Sequence, residues 1–190
     1  MFALCLFSGL RLSEALGLVW AEIDFDDAVI RVRFQRSRAG ARARIKTPAA
    51  VRDVVMMDEL AHTLRKAKMA SPFTRPQDPV FATGSRTSLS QRNATRAFAK
   101  SVDRAELSDV TFHTLRHTFA SLLIAQGRDP VFVADQLGHA SAKTTLDVYS
   151  HLFRAAREAR AARSQLDAEY GALLREGTSR TQATTEKDGG

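Results

Sequence analysis

Thr111-Phe112-His113-Thr114-Leu115-Arg116-His117-Thr118 is followed in order by Leu137-Gly138-His139 and by Asp147-Val148-Tyr149. The first run reads as a helix start. His113 and Arg116 are three apart there, so both side chains can point the same way, and the free amides of the first turn add positive potential. A phosphate would fit in such a place. The planar fork of Arg116 can donate two hydrogen bonds to phosphate oxygens while staying charged at any working pH. Taken singly, His113 reads more readily as a satisfied core histidine and Arg116 as a surface ion-pair partner. His113 and His117 are also four apart and could ligate a metal from one helix face. No Glu stands between them as in H-E-x-x-H, however, no acidic cluster lies nearby, and the only cysteine, Cys5, sits far away in an apolar run. No metal or other cofactor is expected.

Outward from this run, helices are predicted over 114–126, Pro130–Gln136 and Ser141–Ser150, with Gly127 and Gly138 as stop signals. Residues 152–174 are rich in Ala, Arg and Leu and helical in pattern, whereas 175–190 hold too little to bury and read as a disordered tail. Toward the N-terminus, residues 1–18 have helical apolar spacing broken at Gly9, which puts Arg11 at a second helix start. Residues 28–35 and 43–46 alternate apolar with basic, and Val51–Met56 is a third β-favouring run, so a small antiparallel sheet is predicted. Asp58 is read as the cap of a helix to Lys68, Ser71–Asp78 as a loop, and Leu89–Arg104 as another helix. The fold class is mixed α/β, mainly α-helical with a small antiparallel β-sheet.

The 190 residues, 44% of them hydrophobic, suffice for one domain and a tail. A net charge of +7 and a pI near 10.2 favour a polyanionic partner, nucleic acid first, although solubility alone would also account for it. The lone cysteine excludes an internal disulfide, and the apolar run at residues 1–7 is too short to span a membrane, so a cytoplasmic location is expected. Eight cations lie between Val29 and Arg52 with no acid among them: Arg31, Arg33, Arg36, Arg38, Arg42, Arg44, Lys46 and Arg52. Arg92, Arg96, Lys100 and Arg104 recur every fourth residue and form one helix stripe, while Ala94, Phe98 and Val102 line another face. A solvated helix face is the bland reading of the stripe. Its company with the first cluster points to DNA, with Arg36, Arg38, Arg42, Arg44, Arg92, Arg96 and Lys100 as candidate contacts.

Over residues 1–155 these motifs resemble, in order, the catalytic domain of a tyrosine recombinase, the phage-integrase family of site-specific DNA recombinases. Ser8-Gly9-Leu10-Arg11-Leu12-Ser13-Glu14 resembles the first-arginine motif, Lys46 before Thr47-Pro48 the hairpin lysine, and His113-Thr114-Leu115-Arg116 the H-x-x-R box. Leu137-Gly138-His139 resembles the second-histidine motif, and Thr144–Tyr149 the segment that carries the nucleophile. The resemblance implies Arg11, Lys46, His113, Arg116, His139 and Tyr149 as catalytic residues, with Glu14 organising the site. For Lys46 the neighbouring Arg44 is the competitor. Tyr170, lying among Ala, Glu and Leu, reads as packing.

The implied chemistry is cleavage of a DNA strand by Tyr149, giving a 3′-phosphotyrosyl intermediate that another strand's 5′-hydroxyl reseals without ATP or metal. A phenol, with a pKa of about 10, needs a base and a cationic surround, and His113 is the expected base. Arg11, Arg116 and His139 would face the charge that develops on phosphorus oxygens. Lys46 would protonate the leaving 5′-oxygen. The resemblance further implies DNA integration by a mobile element, and protomers joined on double-stranded DNA target sites in a higher-order, tetrameric complex; the apolar residues of 152–174 would either fill a partner's pocket there or cover this chain's own core. Because Arg11 comes so early, residues 1–174 are expected to be a catalytic domain truncated at its N-terminus and lacking the core-binding domain. Two other readings stay open: a non-catalytic DNA-binding remnant, and a type IB topoisomerase-like nicking and resealing enzyme.

Overall fold

The computed structural model describes the backbone of residues 1–185 and the side chains of residues 1–173. Residues 1–149 form one compact unit and residues from 150 onward a second. The first two helices, α1 (Phe2–Ser8) and α2 (Leu12–Gly17), are separated as expected at Gly9, whose φ of 62° lets its amide donate back to the Cys5 carbonyl. A side chain there would force Phe119 to shift, since a Cβ would lie 2.4 Å from its Cδ1. Three further helices, α3 (Asp58–Ala70), α4 (Gln91–Arg104) and α5 (Phe112–Ala125), lie in the same unit. Phe2 of α1, Phe98 of α4 and Phe112 of α5 meet as a ring cluster with centroids 4.5–5.9 Å apart. Leu4, Leu10, Leu16, Leu18, Ile124 and Leu137 are almost wholly buried in the core.

Strand propensity is expressed in two small antiparallel sheets rather than one. One has the order β1 (Ile23–Asp24), β2 (Val29–Val32), β5 (Arg52–Val55), and the other is a hairpin of β3 (Phe34–Arg36) and β4 (Arg42–Arg44). Ile30, Val32 and Val54 point into the core, and Arg31 faces Asp53 across the ladder. The expected strand 28–35 is interrupted at Arg33, whose guanidinium donates to the carbonyls of Val32 and Arg52. Beyond it the chain is drawn onto α2, where Gly17 lies so close that a Cβ would sit 2.5 Å from the Gln35 Cα.

Caps explain most helix limits. Thr111 and Thr114 cap α5 reciprocally, Asp129 accepts from Val131 and Phe132 at the start of α6 (Pro130–Leu137), and Ser90 accepts from Asn93 at the start of α4. Asp58 does not cap α3. It is the first helical residue, after Met57, and with Glu59 complements the positive end of the helix.

The last helix, α7, runs Ala142–Thr185, so the predicted segments 141–150 and 152–174 are one backbone helix. The expected disordered tail, 175–190, falls on residues whose side chains, and from 186 whose backbone, lie outside those described. In the second unit Leu166, Tyr170 and Leu173 are 53–64% exposed, so Tyr170 is not a packing residue. No helix among the described residues is long and apolar enough to cross a membrane.

Candidate active site

Two helix C-termini and one helix start converge on Arg116. Its guanidinium, buried on α5, donates to the carbonyl of Gly9 at 2.6 Å and to the carbonyl of Leu137, the ends of α1 and α6. The negative ends of two helices thereby hold a desolvated cation. Burial, and next the charge of Arg11, pull its pKa down to about 10, which leaves it protonated at neutral pH.

Arg11 is held differently. It precedes α2 with an extended backbone, and its amide and its Nη1 donate to the two oxygens of Glu14, each at 2.8 Å. Its side chain is 43% exposed and lines a cleft of about 440 Å³ with Ser13, Gln35, Arg36, Arg38 and Gln91. Glu14 is buried and also receives both Nη atoms of Arg52, at 3.0 and 3.2 Å. Burial alone would raise its pKa, but the bonds and charge of Arg52, then those of Arg11, outweigh it and hold the carboxyl below its ordinary range. Arg52 also donates to the carbonyls of Gln136 and Ala50. The Gln136 side chain in turn bonds to the Val55 amide and the Asp53 carbonyl. This network ties β5 to the end of α6, where Gly138, at φ 65°, leaves room for the Arg52 fork.

His139 follows that glycine. Its Nδ1 is 2.9 Å from Oγ1 of Thr145, a fully buried residue of α7. Burial, and then the charges of Arg116, Arg11, Arg52 and His117, lower its pKa to about 4, so it is neutral in the free protein. One helical turn beyond Thr145, α7 presents Tyr149, only 5% exposed. Its hydroxyl lies 2.6 Å from Nδ1 of His117. Burial raises the phenol's pKa, with Arg116 opposing, while burial, His113 and Arg116 lower that of His117. The pair is therefore a neutral phenol on a neutral imidazole.

The structure thus gathers Arg11, Glu14, Arg116, His139 and Tyr149 into one electrostatically coupled cluster. His113 stands at its exposed margin, touching His117 edge to face at 4.4 Å between ring centroids, and makes no hydrogen bond to the phenol. Lys46 is exposed in the segment after β4, and none of the cluster's hydrogen bonds reaches it. Two members escaped the sequence reading. His117 was weighed only as half of a metal pair, and Arg52 only as one of eight cations. The sole signal for His117 was its place directly after Arg116.

The basic segment is less free than its composition suggests. Arg31 pairs with Asp24, Arg33 with Asp53, and Arg42 with Glu22. Arg42 also donates to the Gly17 carbonyl and stacks on Phe34, so it is anchored within the fold. Arg38, Arg44, Arg92, Arg96 and Lys100 are exposed, and Arg36 half-buried.

Residues 1–155 match the model of the phage integrase family. The chain belongs to that family. A XerC-like tyrosine recombinase of Caldanaerobacter subterraneus subsp. tengcongensis is 27% identical over 175 residues, 80% of this chain and 45% of that protein. The ICEBs1 integrase of Bacillus subtilis is 30% identical, with 80% and 44% covered, and the tyrosine recombinase XerC of Syntrophus aciditrophicus 33%, with 73% and 44%. The chain therefore spans a little under half the length of these relatives. Among solved structures, the Tn1549 transposon integrase in complex with circular intermediate DNA superposes with a TM-score of 0.72 at 24% identity, over 85% of this chain and 58% of that one. The XerA recombinase gives 0.63 at 25%, over 85% and 55%. The fold is that of a tyrosine recombinase catalytic domain.

Proposed function

We propose that this chain breaks and rejoins DNA strands in site-specific recombination, through a covalent 3′-phosphotyrosyl link at Tyr149. The observation that carries the proposal is the buried Tyr149 hydroxyl, 2.6 Å from Nδ1 of His117 and under the charge of Arg116. Attack of the phenol oxygen on phosphorus places negative charge on the non-bridging oxygens. Arg116, fixed by two helix ends, and Arg11, steadied by Glu14, are donors that need little reorganisation as that charge forms. His139 hydrogen-bonds the phosphate, and His113 adds a donor at the exposed margin. Lys46, on the segment after the hairpin, supplies the proton to the departing 5′-oxygen, a role a guanidinium performs poorly. The link conserves the energy of the phosphodiester, so a 5′-hydroxyl reseals it without a nucleotide cofactor or metal.

DNA is the partner. Arg36 and Arg38 extend the Arg11 cleft, and Arg44 with the Arg92, Arg96 and Lys100 stripe offers further phosphate contacts. Strand exchange needs protomers on paired sites, and the exposed Leu166, Tyr170 and Leu173 suit a role in linking four of them. The reaction belongs to the cytoplasm, together with the DNA it acts on. The test uses a pool of nicked duplexes with randomised recognition sequence, in which cleavage a few nucleotides from the nick releases the short oligonucleotide between them and strands the covalent intermediate. The full chain is expected to form a denaturant-resistant adduct with a subset of the pool, and Tyr149→Phe to form none while retaining affinity for DNA. An adduct from Tyr149→Phe overturns the proposal.

A further inference from the structure

We infer that His117, not His113, is the general base that takes the Tyr149 proton during cleavage and returns it during resealing. This rests on the reading of Tyr149 as the nucleophile. The geometry is direct: Nδ1 of His117 is 2.6 Å from the phenol oxygen, within the range for proton transfer between positioned groups. For Nδ1 to accept, the ring must carry its hydrogen on Nε2. His113 shows no hydrogen bond to the phenol among the described residues, and packs edge to face on His117.

The step balances within named groups. The O–H bond of Tyr149 breaks and its proton passes to Nδ1 of His117 as the phenol oxygen bonds to phosphorus. The bond from phosphorus to the 5′-oxygen breaks, and that oxygen leaves with a proton from Lys46. In resealing, the 5′-hydroxyl attacks phosphorus, its proton returns to Lys46, and the departing phenolate recovers its own from His117.

The surroundings tie this base to the presence of substrate. The charged and titratable groups that face His117 are His113 and Arg116 on α5, Tyr149 on α7 and His139 after α6. Burial, then His113 and Arg116, disfavour an imidazolium at His117. A phosphodiester in the cluster offsets the charge of Arg116 and raises the proton affinity of His117, so the phenol is activated only when its target is in place.

The experiment measures single-turnover adduct formation by the full chain on a nicked duplex selected from the randomised pool. His117→Ala and His117→Gln are each paired with tyrosine or with 3,5-difluorotyrosine at position 149, the latter ionising near neutral pH and needing little base. With tyrosine, both variants are expected to slow by about 10²- to 10⁴-fold, at unchanged affinity for the duplex and unchanged thermal midpoint. Difluorotyrosine is expected to recover most of that loss, and His113→Ala to show no such recovery. The inference is overturned if the His117 variants react at the wild-type rate, or if their loss is the same with both phenols. Either result leaves a wild-type adduct at Tyr149, and so the proposed function, standing, whereas a wild type without any adduct sinks both.

Discussion

At Glu14 a single buried carboxylate holds two guanidinium groups, one of them, Arg52, itself buried. Glu14→Gln would leave the Arg52 charge without a counter-ion, and breaking such a pair costs about 3–5 kcal/mol. Urea unfolding is expected to show a loss of that order, and a change below about 0.5 kcal/mol, the size of an ordinary surface substitution, would show that Glu14 does not organise the site. Acid should destabilise the fold in two stages. Folded His139 takes up its proton only near pH 4 and the unfolded chain near 6.5, so between those values the unfolded state binds more protons and stability falls as pH falls. Glu14, with its pKa depressed in the folded state, contributes stability that is complete above about 4.5 and lost on further acidification. Thermal midpoints from pH 7 to 4 should fall, and His139→Gln should flatten that slope. An unchanged slope would contradict the neutral His139. At this scale Arg11, Arg116, His139 and Tyr149 were legible because their order and neighbours are distinctive. His117 was not, because nothing in a sequence says on which side of α5 the Tyr149 helix arrives. Arg52 was hidden for a similar reason, as its acid lies 38 positions away.

Among the elements, α1 matters less for its length than for its end. The carbonyl of Gly9 is one of the two that hold Arg116, and the residue is fixed both by its φ and by Phe119. Gly9→Ala is therefore expected to cost about 1–3 kcal/mol in backbone strain and displaced packing, and to depress adduct formation at temperatures where the variant is still folded. Full cleavage by a destabilised Gly9→Ala would show that the carbonyl does not position Arg116. Helices with strong punctuation are readable: Gly127, Pro130 and Gly138 place the limits of α5 and α6 within two residues. The strands were read in kind but not in arrangement. Apolar and basic residues alternate through 28–35, yet the ladder changes at Arg33 because Gly17 admits the Gln35 backbone against α2, a contact no local pattern encodes.

For the whole molecule, the +7 charge does not tell which cations are available, since acids outside the basic run pair with Arg31, Arg33, Arg42 and Arg52. Arg38→Ala and Arg44→Ala should therefore weaken DNA binding and lessen its salt dependence, by about one unit of log–log slope per phosphate contact, whereas Arg42→Ala should act chiefly on stability. Equal slopes for all three would remove the distinction. Residues 152–190 are nearly all exposed wherever their side chains are described, so deleting them should leave the thermal midpoint of residues 1–149 within a few degrees while reducing strand exchange between paired sites. Unfolding of the truncated chain would show that this segment is needed for folding. The most direct test of the central claim is to trap the adduct on the selected nicked duplex, digest both components, and map the nucleotide-bearing peptide by mass spectrometry. The expected product is a single 3′-phosphonucleotide on Tyr149, within the tryptic peptide 144–154. A nucleotide on Tyr170 or any other residue, or a linkage through the 5′-phosphate, would contradict it.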